Sequence, residues 1–149
     1  MKIEHYCHPI NDAMINLLLE ADPNIKAIHA YLPTAKVLVA SSQDEIIGIA
    51  ALTVSNGLAE LKNIAVCLDY RGQGIAKCLI EEVKIMARQG GHGCLYVGTG
   101  NSSLSQLALY QKCGFRLDHI KHDFFADYPQ EIYENGIRCL DLVVLCARL

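Results

Sequence analysis

The sequence predicts an α/β fold of the α+β type, a mixed sheet with helices packed on it, in one domain spanning residues 1–149. Two observations carry this. Residues 36–41, 45–54 and 58–67 are apolar, β-branched runs separated by short turn signals, which predicts three consecutive antiparallel strands. The period then changes to that of a helix over 74–89, followed by another apolar run at 93–98. A helix-bridged crossover joins parallel strands, so the sheet must be mixed.

The elements follow in order. A short strand is expected at 3–7, and Asn11 or Asp12 can cap a helix running to about Glu20 with Ile15, Leu18 and Leu19 on one face. Pro23 breaks it, and a second helix over 24–31 stops at Pro33. Ser42-Gln43-Asp44 and Asn56-Gly57 read as hairpin turns. The helix over 74–89 carries the stripe Ile75, Leu79, Val83 and Met86 and ends at Gly90-Gly91. A strand at 93–98, a helix at 103–112, a strand at 115–125, a polar loop at 126–136 and a closing strand at 138–147 complete the chain.

The strand at 58–67 is irregular. Leu61 sits on an odd position with Glu60 and Lys62 on the other face, whereas Ile64 and Val66 put apolar side chains on even positions. A strand changes faces only by slipping one residue, which predicts a β-bulge near residues 62–64. The competing reading is that both faces are simply buried there.

Composition narrows the function classes. Just over half the residues are apolar and the net charge is -3, so no basic field favours nucleic acid or an anionic membrane. The first residues lack an apolar run of signal-peptide length, and no stretch reaches a membrane span, which gives a cytoplasmic expectation. Seven cysteines without a C-x-x-C pair, most of them inside apolar runs, read as small buried hydrophobes in a reducing compartment. His5, Cys7 and His8 are the only local group of ligand-type residues, and they lack the spaced partners of a metal site. No metal is expected.

Between strand and helix lies Arg71-Gly72-Gln73-Gly74. Glycines let successive N–H groups converge, the helix N-terminus adds partial positive charge, and Arg71 and Lys77 add full charges, which suits a diphosphate. The G-x-x-x-x-G-K-[ST] loop is absent, and Lys77 stands where a dinucleotide fingerprint needs its third glycine.

Three segments together resemble the GNAT superfamily of N-acetyltransferases: Asn63-Ile64-Ala65-Val66, Tyr70-Arg71-Gly72-Gln73-Gly74-Ile75-Ala76 and Leu109-Tyr110-Gln111-Lys112-Cys113-Gly114-Phe115. The [RQ]-x-x-G-x-[GA] core of the family's acyl-CoA signature is filled by Arg71, Gly74 and Ala76. The resemblance implies a mostly antiparallel sheet of about seven strands with four helices and a splayed central parallel pair. It implies acetyl-CoA as co-substrate. The backbone of Ile64, Ala65 and Val66 would hold pantetheine, and Arg71, Gly72, Gln73, Gly74, Ile75, Ala76 and Lys77 the pyrophosphate. Tyr110 matches the family's general acid, and Glu60 the position of a glutamate acting as base through water. The family's pantetheine asparagine falls in register on Ser103; Asn101, nine residues before Tyr110, is the favoured CoA contact, with Ser103 substituting for it or Asn101 merely preceding a Ser102/Ser103 helix cap as the alternatives.

The acceptor implied is an amine. The loop 122–136 mixes four carboxylates with aromatics, which suits a cationic small molecule or peptide, although an ordinary solvated hairpin reads the same way. The apolar run at 140–146 suits a homodimer contact as well as a core. A non-catalytic CoA-binding regulatory module is the second reading; the presence of both Tyr110 and Glu60 favours the enzyme.

Overall fold

The computed structural model describes residues 1–149. Its elements run β1 (Lys2–His5), α1 (Asp12–Ala21), α2 (Ile25–Tyr31), β2 (Lys36–Ser42), β3 (Glu45–Ser55), β4 (Leu58–Val66) and α3 (Ile75–Gln89). They continue as β5 (Cys94–Gly100), α4 (Leu104–Lys112), β6 (Arg116–Lys121), β7 (Tyr133–Glu134), β8 (Ile137–Arg138) and β9 (Leu142–Arg148). Seven strands form one sheet in the order β1-β2-β3-β4-β5-β9-β6, and only β4 and β5 are parallel.

Local chemistry sets the element ends. Asn11 and Asn24 cap α1 and α2, their side chains accepting the N–H of Met14 at 2.9 Å and of Ala27 at 3.2 Å. Gln43-Asp44 and Asn56-Gly57 each take positive φ at both residues, the twist that a two-residue hairpin requires.

Three expectations need correction. The buried face of α1 is Met14, Leu17 and Leu18, with Ile15 and Leu19 at its margin. β6 ends at Lys121 rather than 125, and β9 begins at Leu142 rather than 138. The intervening loop carries a small hairpin, β7–β8, turned by Asn135-Gly136 with φ of 55° and 73°. β9 is hydrogen-bonded to β5 on one edge and β6 on the other, so its apolar run is accounted for by the sheet and offers no free edge to a second subunit.

The bulge is present. Against β3, Leu52 pairs with Leu61 and Ala51 with Asn63, so Lys62 is the extra residue. Both faces are also buried here, and the two readings turn out to be compatible. Ala59 and Leu61 belong to the core under α3 and α4; beyond the bulge Val66 joins that core with Ile64 packed against it, while Ala65 joins a second core under α1 and α2.

Each core has a locking device. Gly48 lets α3 sit close: a Cβ there would lie 3.1 Å from Leu79 and 3.3 Å from Ile75. Lys84 of α3 donates to the Cys113 carbonyl at the end of α4 and lies 5.6 Å from the centre of the Phe115 ring, fixing one helix to the other. On the opposite face, the Asn63 amide donates to the Leu18 carbonyl and to the Tyr31 hydroxyl, both at 3.0 Å, joining the bulge to both helices. Asn63 is 5% exposed, and its Oδ1 is buried without a partner.

Burial pushes the Tyr31 phenol up to about 12, with the Asn63 hydrogen bond pulling the other way and Asp22 adding a smaller rise. Its unfolded value is about 10, so the stability it contributes is whole below about pH 10 and is lost as pH rises through about 12. Tyr31→Phe removes one hydrogen bond from a buried amide and is expected to cost about 1 kcal/mol at neutral pH. Urea unfolding across pH 8 to 12 should show the gap between the two proteins narrowing above about pH 10. A gap that widens there would contradict this account.

Candidate active site

The site begins where β4 and β5 part. They pair only at Ala59–Leu95, Glu60–Tyr96 and Leu61–Val97, then separate past the bulge. Backbone groups alternate along an antiparallel ladder. The Cys67 N–H bonds to the Ile47 carbonyl at 2.8 Å, so Cys67, Ala65 and Asn63 point toward β3. Ile64 and Val66 therefore aim their N–H and C=O groups into the gap, where no β5 partner meets them. The gap opens into a cleft of about 530 Å³.

Its far end is the start of α3. Gly72 and Gly74 have φ of 77° and 81°, a region closed to most side chains. Nothing lies within 4 Å of a Cβ at either, so conformation rather than space demands glycine. The first bond into the helix runs from the Cys78 N–H to the Gly74 carbonyl at 3.1 Å, leaving the N–H groups of Ile75, Ala76 and Lys77 without helical acceptors. Unlike α1 and α2, α3 has no side-chain cap. A 15-residue helix with a bare N-terminus and two nearby cations can hold an anion.

Of the residues expected here, Ile64, Ala65, Val66, Arg71, Gly72 and positions 74–77 all line the cleft. Gln73 lies on the same turn but is exposed and outside the lining. The Arg71 guanidinium donates through Nε to the Val66 carbonyl at 2.9 Å and through Nη2 to the Glu20 carboxylate at 3.0 Å.

Tyr110 is 5% exposed and stands edge-on to Phe115 with ring centres 5.7 Å apart. Burial, with a smaller push from Cys113, holds its phenol well above the ordinary tyrosine range. Asn63 Oδ1 is the one buried side-chain nitrogen or oxygen without a partner, so the unbonded Tyr110 hydroxyl keeps a share of the surface. Its neighbour Leu109 lines the cleft, although Tyr110 does not.

Glu60 lies on the opposite face of the sheet, since its neighbours Ala59 and Leu61 point under α3. Its carboxylate is 3.5 Å from Lys62 and over a third exposed. The two candidate proton-handling groups thus lie on opposite faces of the sheet.

Asn101 is not among the residues lining the cleft. Its oxygen accepts the N–H of Leu140 at 2.9 Å and of Asp141 at 3.0 Å, and its amide donates to the Arg138 carbonyl at 3.0 Å. With both lone pairs used, it fastens the start of β9 to the end of β5 and does not reach the cleft. Ser103 donates to Glu134 at 3.0 Å. The polar groups that α4 does bring to the cleft are Ser105 and Gln106, one turn before Tyr110. Glu20 and Ala21 of α1 were also not anticipated. One signal for Glu20 was present: a carboxylate in the last turn of a helix opposes its dipole.

No group of three or more His, Cys, Asp or Glu side chains gathers with the geometry of a metal site, and all seven cysteines are free thiols. None of the helices is long and apolar enough to cross a membrane.

Comparison with known proteins agrees with this geometry. Residues 33–117 match the family model for the acetyltransferase (GNAT) domain. The chain is 41% identical over 137 residues to the N-acetyltransferase YvbK of Bacillus subtilis, covering 91% of this chain and 88% of that one. A GNAT family acetyltransferase from Elizabethkingia anophelis with acetyl-CoA bound superposes with a TM-score of 0.92 at 39% identity, covering 99% of this chain and 97% of its own. A Bacillus subtilis acetyltransferase in complex with CoA gives 0.94 at 39% identity, with 99% and 98% covered. A strand pair that parts past a bulge, an uncapped helix start at the end of the gap and these relatives lead to one conclusion: this chain belongs to the GNAT family of N-acetyltransferases.

Proposed function

We propose that this protein transfers the acetyl group of acetyl-CoA directly to an amine in a ternary complex. The observation that carries the reading is the loss of β4–β5 pairing after Leu61, which leaves the backbone of Ile64 and Val66 free along a cleft ending at the bare start of α3. An extended pantetheine arm can bond to those groups as an added strand would. The diphosphate then falls at Arg71, Gly72, Lys77 and the free N–H groups of α3. The CoA and acetyl-CoA complexes of its relatives support the same donor.

The reacting carbonyl belongs at the bulge, with the Ile64 N–H as donor to the developing oxyanion. A lysine-type amine has a pKa of about 10.4 and must lose a proton before it attacks. Glu60, on the face of the sheet away from α3 and α4, is the group we assign to that proton through water. The leaving thiolate has the basicity of a thiol of pKa about 8.5, below that of phenolate. Tyr110, with its pKa raised, stays protonated and acts as the acid by hydrogen-bonding the departing sulfur and stabilising its developing negative charge as the C–S bond breaks.

The acceptor reading narrows at the loop 122–136. Glu134 is engaged by Ser102 and Ser103, and Glu131 by Tyr133 and Arg138. Asp123 and Asp127 remain in the same loop as the edge-to-face pair Phe125 and Tyr128, whose ring centres are 5.2 Å apart, and these suit a cationic amine.

Two measurements test the proposal. Tyr110→Phe should lower kcat by about 10²-fold while acetyl-CoA affinity stays within about twofold of the parent protein. Unchanged turnover would remove Tyr110 from the chemistry. Incubation with acetyl-CoA and a panel of polyamines, aminoglycosides, amino acids and peptides should give an acetylated product by mass spectrometry. Acetyl-CoA binding with no product across that panel would support a binding module instead.

A further inference from the structure

The Arg71–Glu20 contact is out of place by ordinary rules. Glu20 sits in the last turn of α1, where a negative charge opposes the helix dipole and no basic residue of the helix offsets it. Its carboxylate also lines a cleft whose proposed occupant is a polyanion. Both partners are about half exposed, so the ion pair adds little to stability. Local rules are broken most often where function requires it.

Arg71 is engaged twice at the cleft wall. Its Nε occupies the Val66 carbonyl at 2.9 Å, one of the groups freed by the splay, and its Nη2 occupies Glu20 at 3.0 Å. The diphosphate must face a guanidinium whose outer edge already carries a carboxylate. Two anions cannot share that edge without repulsion, and a guanidinium can exchange a single carboxylate contact for a phosphate at little geometric cost.

We infer that Glu20 is an exchangeable partner of Arg71, displaced by the donor's diphosphate, so that it lowers donor affinity and eases release of CoA. The inference rests on the donor reading given above. In the free protein, Glu20 holds Arg71 at the cleft wall and joins α1 to the phosphate turn. When the donor binds, the guanidinium passes from carboxylate to phosphate, and Glu20 swings to solvent.

Calorimetric titration with CoA tests this on the intact protein. Glu20→Gln should tighten CoA by about two- to fivefold, the range set by a half-exposed ion pair. The gain should persist with 3′-dephospho-CoA, which keeps the diphosphate, and vanish with an S-acetyl pantetheine that lacks it. It should also vanish in an Arg71→Gln background. Unchanged or weaker CoA binding in Glu20→Gln would overturn the inference and make Glu20 a support for Arg71. A gain that persists with the pantetheine or without Arg71, or that is lost with 3′-dephospho-CoA, would overturn it equally. Failure of the parent protein to bind CoA at all would instead bring down the donor reading.

Discussion

One extra residue in β4 is the constraint on which the site depends. With unbroken alternation, Ile64 and Val66 would face α1 and α2, and Asn63 would press its amide into the apolar core under α3. Inserting Lys62 reverses both outcomes. Ile64 and Val66 reach the larger core, and Asn63 finds two acceptors in Leu18 and Tyr31. A buried amide without partners costs roughly 1–3 kcal/mol, so the register is held in part by those two bonds. The same slip turns the backbone of Ile64 and Val66 toward β5 at the point where β5 leaves.

The parting of the two strands has its own cause. β4 stays paired with β3 on both sides of the bulge, as far as Val66, and β5 follows β9 through Gly100. Each strand of the parallel pair is held on its outer side by a longer antiparallel ladder than the three-residue contact between them. Sheet twist then carries the two halves apart, as expected where ladders on either side diverge. Gly98 contributes by letting Leu142 of β9 lie across β5, since a Cβ there would approach the Leu142 side chain to 3.1 Å. The gap is thus a product of pairing strength elsewhere in the sheet.

Legibility in the sequence followed the range of the interactions. The bulge was readable because face alternation is a property of consecutive residues, and the hairpins because Asn56-Gly57 has few other uses. The glycine turn before α3 was readable for the same reason. The partners of Asn101 were not legible, because Arg138, Leu140 and Asp141 lie almost forty residues away and no local pattern announces them. The β7–β8 hairpin was missed although Asn135-Gly136 is itself a hairpin dipeptide; two-residue strands carry too little alternation to register. Glu20 required knowing that α1 ends beside Arg71, which only the folded chain supplies.

The charge balance explains why recognition must be local. The whole chain carries -3, so its average field repels a polyanion at long range. At physiological ionic strength that field is screened beyond about 8 Å, whereas free N–H groups and a guanidinium act within contact distance. A site built on backbone donors at a helix start therefore tolerates an acidic surface. On the proposed donor reading it would also limit how tightly a product retaining the same diphosphate is held, because few full charges contribute. An acetyl donor and its spent form differ only at the sulfur, far from Arg71. Tight phosphate binding would then retain both equally and slow turnover. A carboxylate competing for the one arginine is one physical way to keep that shared term small.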